Sequence, residues 1–80
     1  MDDSELRQVI VAALREIAPE IGDDELDDHR PLRRQVDLDS IDWLRFLVEL
    51  HERLQVDIPE ADYPQLSSVA DLVGYLRTRV

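Results

Sequence analysis

Asp39-Ser40-Ile41-Asp42-Trp43-Leu44-Arg45-Phe46-Leu47-Val48-Glu49-Leu50-His51-Glu52-Arg53-Leu54 is the stretch whose reading decides the fold. Trp43, Phe46, Leu47, Leu50 and Leu54 recur at helical spacing and form one continuous apolar stripe. Ile41, Leu44 and Val48 form a second stripe beside it. A helix apolar over more than half its circumference has two jobs: one face packs into a core, and the other is either more core or a docking surface. Asp39 can cap this helix, and Asp42 places a second carboxylate in its first turn, where the helix dipole favours negative charge.

Upstream, Leu6, Val9, Ile10, Ala13, Leu14 and Ile17 keep helical spacing behind a possible Ser4 cap, and Pro19 stops that helix. Glu20 to Asp28 is an acid-rich loop, and Leu32 and Val36 read as anchors pinning a long connection to the core. Downstream, the residue before Pro59 avoids helical backbone, so Ile58 ends an extended segment. Glu60 to Leu66 has room for one short helical turn containing Pro64. Ser68-Val69-Ala70-Asp71 reads as a capping box with Asp in place of Glu. Val69, Leu72, Val73 and Leu76 follow at helical spacing. No strand alternation or repeat is visible. The pattern predicts an all-α fold: a small four-helix bundle with main helices at about 4–18, 40–54 and 68–78 and a short helix at about 60–65, in one domain over residues 1–80.

Composition narrows the function. Eighty residues bury only about 60–65% of the unfolded surface, leaving no room for a core plus a deep catalytic cleft. The net charge is −10, from 19 acids against nine arginines. That charge argues against nucleic acid and anionic membrane, which demand a positive face, and favours partners with basic docking surfaces. There is no cysteine, hence neither a disulfide nor a thiolate metal site. The acidic start Met1-Asp2-Asp3-Ser4-Glu5 lacks the pattern of a secretory signal, and the longest apolar run, Val9 to Leu14, is far too short to span a membrane. A cytoplasmic, monomeric protein is expected.

The chemistry centres on Asp39-Ser40-Ile41. A serine at a helix start has an exposed hydroxyl, and a phosphate bonded to it would sit in the positive end of the helix dipole. Taken alone, the tripeptide is ordinary capping. The surrounding chain adds more: Asp39-Ser40-Ile41-Asp42 opening a long helix, then Val56-Asp57-Ile58-Pro59-Glu60, then Ser67-Ser68-Val69 with Asp71 and Tyr75-Leu76. From Val36 to Leu76 this resembles the acyl carrier protein family.

The resemblance implies a non-catalytic carrier. It implies that a phosphopantetheinyl transferase moves 4′-phosphopantetheine from coenzyme A onto Ser40, and that the arm's thiol holds acyl groups as thioesters. An acyl-loading ligase or acyltransferase and downstream synthase or transferase enzymes are the other implied partners. Partner recognition would fall to Asp39, Ile41, Asp42, Trp43, Arg45, Val48, Glu49 and Glu52. Phe46, Leu47, Leu50, Leu54, Ile58, Ala61, Leu66, Leu72 and Tyr75 would line an acyl pocket or form the core. No catalytic residue and no metal ligand are expected.

This chain departs from the general fatty-acid carriers. Asp37 replaces a frequent glycine, Arg34-Gln35 stand where an acidic pair is usual, with Arg33 adjacent, Arg45 replaces a frequent glutamate, and Trp43 is bulkier than usual. A dedicated carrier for a specialised fatty-acid, lipid or polyketide pathway is therefore expected. The alternatives are an aminoacyl or peptidyl carrier and, in another class, an unmodified acidic helical adaptor. A calcium loop is rejected, because Asp42 stands at the position that needs glycine and Val48 where a bidentate Glu belongs. His51 as a phosphorelay residue and His29 as a metal ligand both lack supporting partners in the sequence.

Overall fold

The computed structural model describes residues 1–22 and 26–80; the acids at 23–25 of the predicted loop lie outside the described residues. Helix α1 spans Asp3–Ile17. Its cap is Asp2, whose carboxylate accepts the Glu5 N–H at 2.8 Å, so Ser4 lies inside the first turn and is not the cap. An aspartate cap supplies a full negative charge to the helix dipole as well as a hydrogen bond, which the serine could not. Leu6, Ile10, Ala13 and Leu14 are fully buried along one face. The helix closes at Ala18, just before Pro19.

A single turn, α2 (Leu32–Gln35), was not anticipated from the sequence. One turn is too short to show periodicity, and only Pro31 before it hints at a helix start. Leu32 and Val36 are both buried, as the two anchors should be. The Leu32 N–H donates to the Ser67 carbonyl at 2.7 Å, tying the connection to the chain ahead of the last helix.

Helix α3 spans Ser40–Leu54 and buries Trp43, Phe46, Leu47 and Leu50. It ends at Gln55, whose φ of 55° is the one left-handed non-glycine backbone among the described residues. The Gln55 amide donates to the Glu52 carbonyl at 2.7 Å, satisfying one of the last free acceptors. A 3₁₀ helix, Glu60–Gln65, contains Pro64 as expected. Helix α4, Val69–Leu76, carries the predicted capping box: Ser68 Oγ accepts the Asp71 N–H, and Asp71 accepts the Ser68 N–H. It stops two residues short of the expected boundary, because Arg77 to Arg79 continue only as a turn.

The result is all-helical among the described residues, with α1 packed against both α3 and α4. Fully burying a side chain such as Phe46, Leu47 or Leu50 is worth about 1.5–3 kcal/mol, so α3 contributes much of the core. Polar ties fix the elements around it. Arg7 Nε lies 3.0 Å from both Asp28 carboxylate oxygens, and the Ala70 N–H donates to the Asp28 carbonyl at 2.8 Å. Arg53 joins Glu49 on its own helix to Glu16 on α1, at 2.8 and 3.3 Å. The Tyr75 hydroxyl donates to Asp62 at 2.6 Å, linking α4 to the 3₁₀ helix. Burial and that hydrogen bond together hold the Tyr75 phenol above its ordinary pKa, against the pull of Arg79, whose guanidinium lies 3.6 Å from the ring centroid.

The capping box generates a stability prediction with a pH signature. Burial pushes the Asp71 carboxyl up, but hydrogen bonds from Ser67 and Ser68 outweigh it, so the folded-state pKa lies below the ordinary value. The stability from this group is therefore fully present above the unfolded pKa of about 3.9 and is lost as pH falls through the lower folded value. Ser68→Ala should destabilise the protein by about 1 kcal/mol, lowering the melting temperature by roughly 4–8 °C for a domain of this size. Asp71→Asn should be clearly less stable than the wild type at pH 6 and approach it as the pH falls below the ordinary aspartate range, measured by denaturant unfolding at each pH.

Candidate functional site

Ser40 is the first residue of α3. Asp39 stands before it in extended backbone and turns its carboxylate inward, accepting the Asp42 N–H at 2.8 Å. The Asp39 carbonyl accepts the Trp43 N–H at 3.0 Å. These two bonds leave the N–H groups of Ser40 and Ile41 without an acceptor among the described residues, as at any helix start. Ser40 is exposed, and its hydroxyl has no hydrogen-bond partner among the described residues. A hydroxyl in this position can be reached by another protein, and an anion on it would meet the positive end of the dipole. The residues present therefore fit a phosphodiester: Ser40 as its anchor, Ser40 and Ile41 as N–H donors, Asp39 holding the turn. The bound group would supply a thiol, which this cysteine-free chain lacks.

The exposed side of α3 carries the second apolar stripe. Ile41 is 67%, Leu44 45% and Val48 49% exposed, which settles that stripe as surface and not core. Arg45 is exposed beside it, with no ion-pair partner among the described residues. Glu52 is also exposed, whereas Glu49 is half-buried and held by Arg53. Trp43 does not belong with the recognition residues: it is only 8% exposed, and its ring lies 5.2 Å from that of Phe46. Its spacing from Phe46, Leu47 and Leu50 puts it on the buried face of α3. Leu44, outside the expected recognition set, shares this exposed stripe, as its spacing from Ile41 and Val48 signals.

Of the residues expected to line a pocket or form the core, Phe46, Leu47, Leu50, Ile58, Leu66 and Leu72 are buried, while Leu54 and Tyr75 are half-buried. Ala61 is exposed and does neither job. It lies in the 3₁₀ helix, none of whose residues is fully buried. An open groove of about 470 Å³ runs beside the start of α3, lined by Leu38, Trp43, Tyr63, Leu66, Ser67, Pro31, Arg33 and Arg34. Leu38, two residues before Ser40, and Trp43, three residues after it, both line the groove, which places it at the start of α3; Ser40 itself is not in its wall. Tyr63 and Leu38 carried no periodic signal, since neither lies on a regular helix.

No described helix is long and apolar enough to cross a membrane, and no group of three or more potential metal ligands occurs among the described residues. His51 is not set up for phosphotransfer: its Nδ1–H donates to the Val56 carbonyl at 2.7 Å, which fastens the end of α3.

Residues 6–76 match the family model described as a phosphopantetheine attachment site. The chain is 31% identical over 74 residues to the meromycolate extension acyl carrier protein of Mycolicibacterium aurum, covering 89% of this chain and 76% of that one. It is 29% identical over 65 residues to an acyl carrier protein of Chlamydia caviae, covering 79% and 84%. It is 23% identical over 75 residues to an acyl carrier protein of an Exiguobacterium species, covering 91% and 95%. The chain belongs to the acyl carrier protein family. It is accordingly a non-catalytic carrier whose prosthetic group is a covalently attached 4′-phosphopantetheine.

Proposed function

We propose that Ser40 is the attachment point of the phosphopantetheine arm, and that residues 1–80 act as one cytoplasmic, monomeric carrier domain dedicated to a specialised fatty-acid, lipid or polyketide route. The observation that carries the first part is the exposed, unbonded Ser40 hydroxyl at the capped start of α3, inside the segment that matches the family model. No general base on this chain is required, because the phosphopantetheinyl transferase activates the serine. A loading ligase or acyltransferase then charges the thiol, and downstream synthase or transferase enzymes draw on it.

Three arginines support the dedicated role. Arg45 places a positive charge on the Ile41–Leu44–Val48 face, and Arg33 and Arg34 place two more beside the groove. Enzymes that meet an acidic carrier with basic patches would be repelled at those points, and like charges held close in an interface are costly. One relative is named for meromycolate extension, which favours a lipid route over aminoacyl transfer.

Incubation with coenzyme A and a broad-specificity phosphopantetheinyl transferase should add one phosphopantetheinyl mass to the intact protein. Ser40→Ala should abolish the addition while leaving the helical circular dichroism unchanged; undiminished addition to that variant would remove Ser40 as the site.

The loaded protein should be a poor substrate for the ketosynthase and malonyl transferase of a general fatty-acid synthase. Arg45→Glu should raise kcat/KM with those enzymes by roughly three- to tenfold at low salt, and the gain should shrink as ionic strength rises. Wild-type activity equal to that of a housekeeping carrier would argue against the dedicated role.

A further inference from the structure

The groove at the start of α3 is neither a plain hydrocarbon slot nor a plain charged patch. Leu38 and Leu66 are buried in its wall, Trp43 and Tyr63 add aromatic surface, and Arg33 and Arg34 stand on its rim from α2. Its volume of about 470 Å³ falls within the usual range for small-molecule sites of about 300–1,000 Å³. The two arginines are exposed and have no ion-pair partner among the described residues, in a chain of net charge −10. Three other arginines are engaged with acids: Arg7 with Asp28, Arg53 with Glu16 and Glu49, and Arg77 with Asp3. The groove between α1 and α4 also contains arginines, but those are Arg7 and Arg77, already engaged. The groove at the start of α3 pairs an apolar and aromatic wall with two guanidinium groups that have no ion-pair partner among the described residues.

We propose that this groove is a subsite for the carrier's own cargo, and that the cargo is an acyl group ending in a carboxylate. The proposal rests on Ser40 bearing the arm. Leu38, Trp43, Tyr63 and Leu66 take the methylenes near the thioester, and Arg33 and Arg34 receive the terminal carboxylate. A guanidinium presents paired N–H donors that match a carboxylate, which a plain alkyl chain cannot use. An alkyl chain laid in the same groove would instead crowd water from the two cations with no compensating bond. The arm's phosphodiester is a second source of negative charge on the same molecule. It is fixed to Ser40 at the start of α3, where backbone N–H groups already face it, so the rim arginines remain for the far end.

The test compares three forms made with the transferase from the matching coenzyme A compounds: the unloaded arm, the octanoyl thioester and the suberoyl thioester, which has the same backbone length and a terminal carboxylate. Trp43 is the single tryptophan, so its emission reports from the groove wall. The suberoyl form should shift Trp43 emission and hydrolyse roughly two- to fivefold more slowly than the octanoyl form, the scale of an exposed charge pair. The double variant Arg33→Gln/Arg34→Gln should erase that difference while keeping the helical circular dichroism. Equal behaviour of the two thioesters in the wild type would overturn the proposal. So would an arginine-dependent change of Trp43 emission that is already complete in the unloaded form, since the groove would then be reading the phosphodiester. A chain that accepts no arm would overturn the reading of Ser40 itself. In that case free suberoyl-pantetheine and octanoyl-pantetheine, titrated against Trp43 emission of the unmodified protein, test the groove separately, and equal affinities would count against it.

Discussion

Burial of the inner face of α3 is the constraint on which everything else in this protein depends. Phe46, Leu47 and Leu50 are almost wholly removed from water, in a core where α3 packs against α1. With so thin a core, few other contacts could hold this helix in place. Fixing the helix fixes both of its ends and its outer face. The N-terminal end presents Ser40, and the outer face presents Ile41, Leu44 and Val48. The same burial therefore supplies stability and aims the site. The polar ties follow from it: Arg53 strengthens the α1–α3 seam at its far end, and His51 and Gln55 close the helix there.

Charge is arranged in two layers. Three arginines, Arg7, Arg53 and Arg77, pair with acids and join one element to another. Exposed ion pairs of this sort stabilise little individually, so their use is in orientation more than in energy. Among the arginines outside that scheme, Arg33 and Arg34 line the groove at the start of α3 and Arg45 stands on the exposed face of α3. An acidic protein with isolated cations at one end and on the outer face of α3 is better suited to discriminating between partners or cargoes than to meeting all of them.

Periodicity made the long elements legible in the sequence. The double stripe from Ile41 to Leu54 identified α3 and its two faces, and Ser68 with Asp71 marked the start of α4 through its capping chemistry. What stayed hidden had no repeating signal. The turn α2 is four residues long. The end of α3 is a left-handed Gln55 where a glycine would have announced it. Asp2 and Ser4 are both capable caps, and only the fold chooses between them. At the site, Ser40 and the exposed stripe were readable because they sit on α3. Trp43 was ambiguous, since one aromatic at helical spacing fits a core or a groove wall, and in the structure it does both. Tyr63 and Leu38 joined the groove from irregular segments, and Ala61 dropped out because a 3₁₀ helix turns its residues by a different period.

The central claim is that the start of α3 carries the arm. The most direct measurement is to modify the protein, digest it with trypsin and sequence the modified peptide by mass spectrometry. Cleavage after Arg34 and Arg45 gives a fragment from Gln35 to Arg45 in which Ser40 is the only hydroxyl-bearing residue. The account predicts the phosphopantetheinyl mass on that fragment alone. The mass on a fragment containing Ser4, Ser67 or Ser68, with the Gln35–Arg45 fragment unmodified, would contradict it.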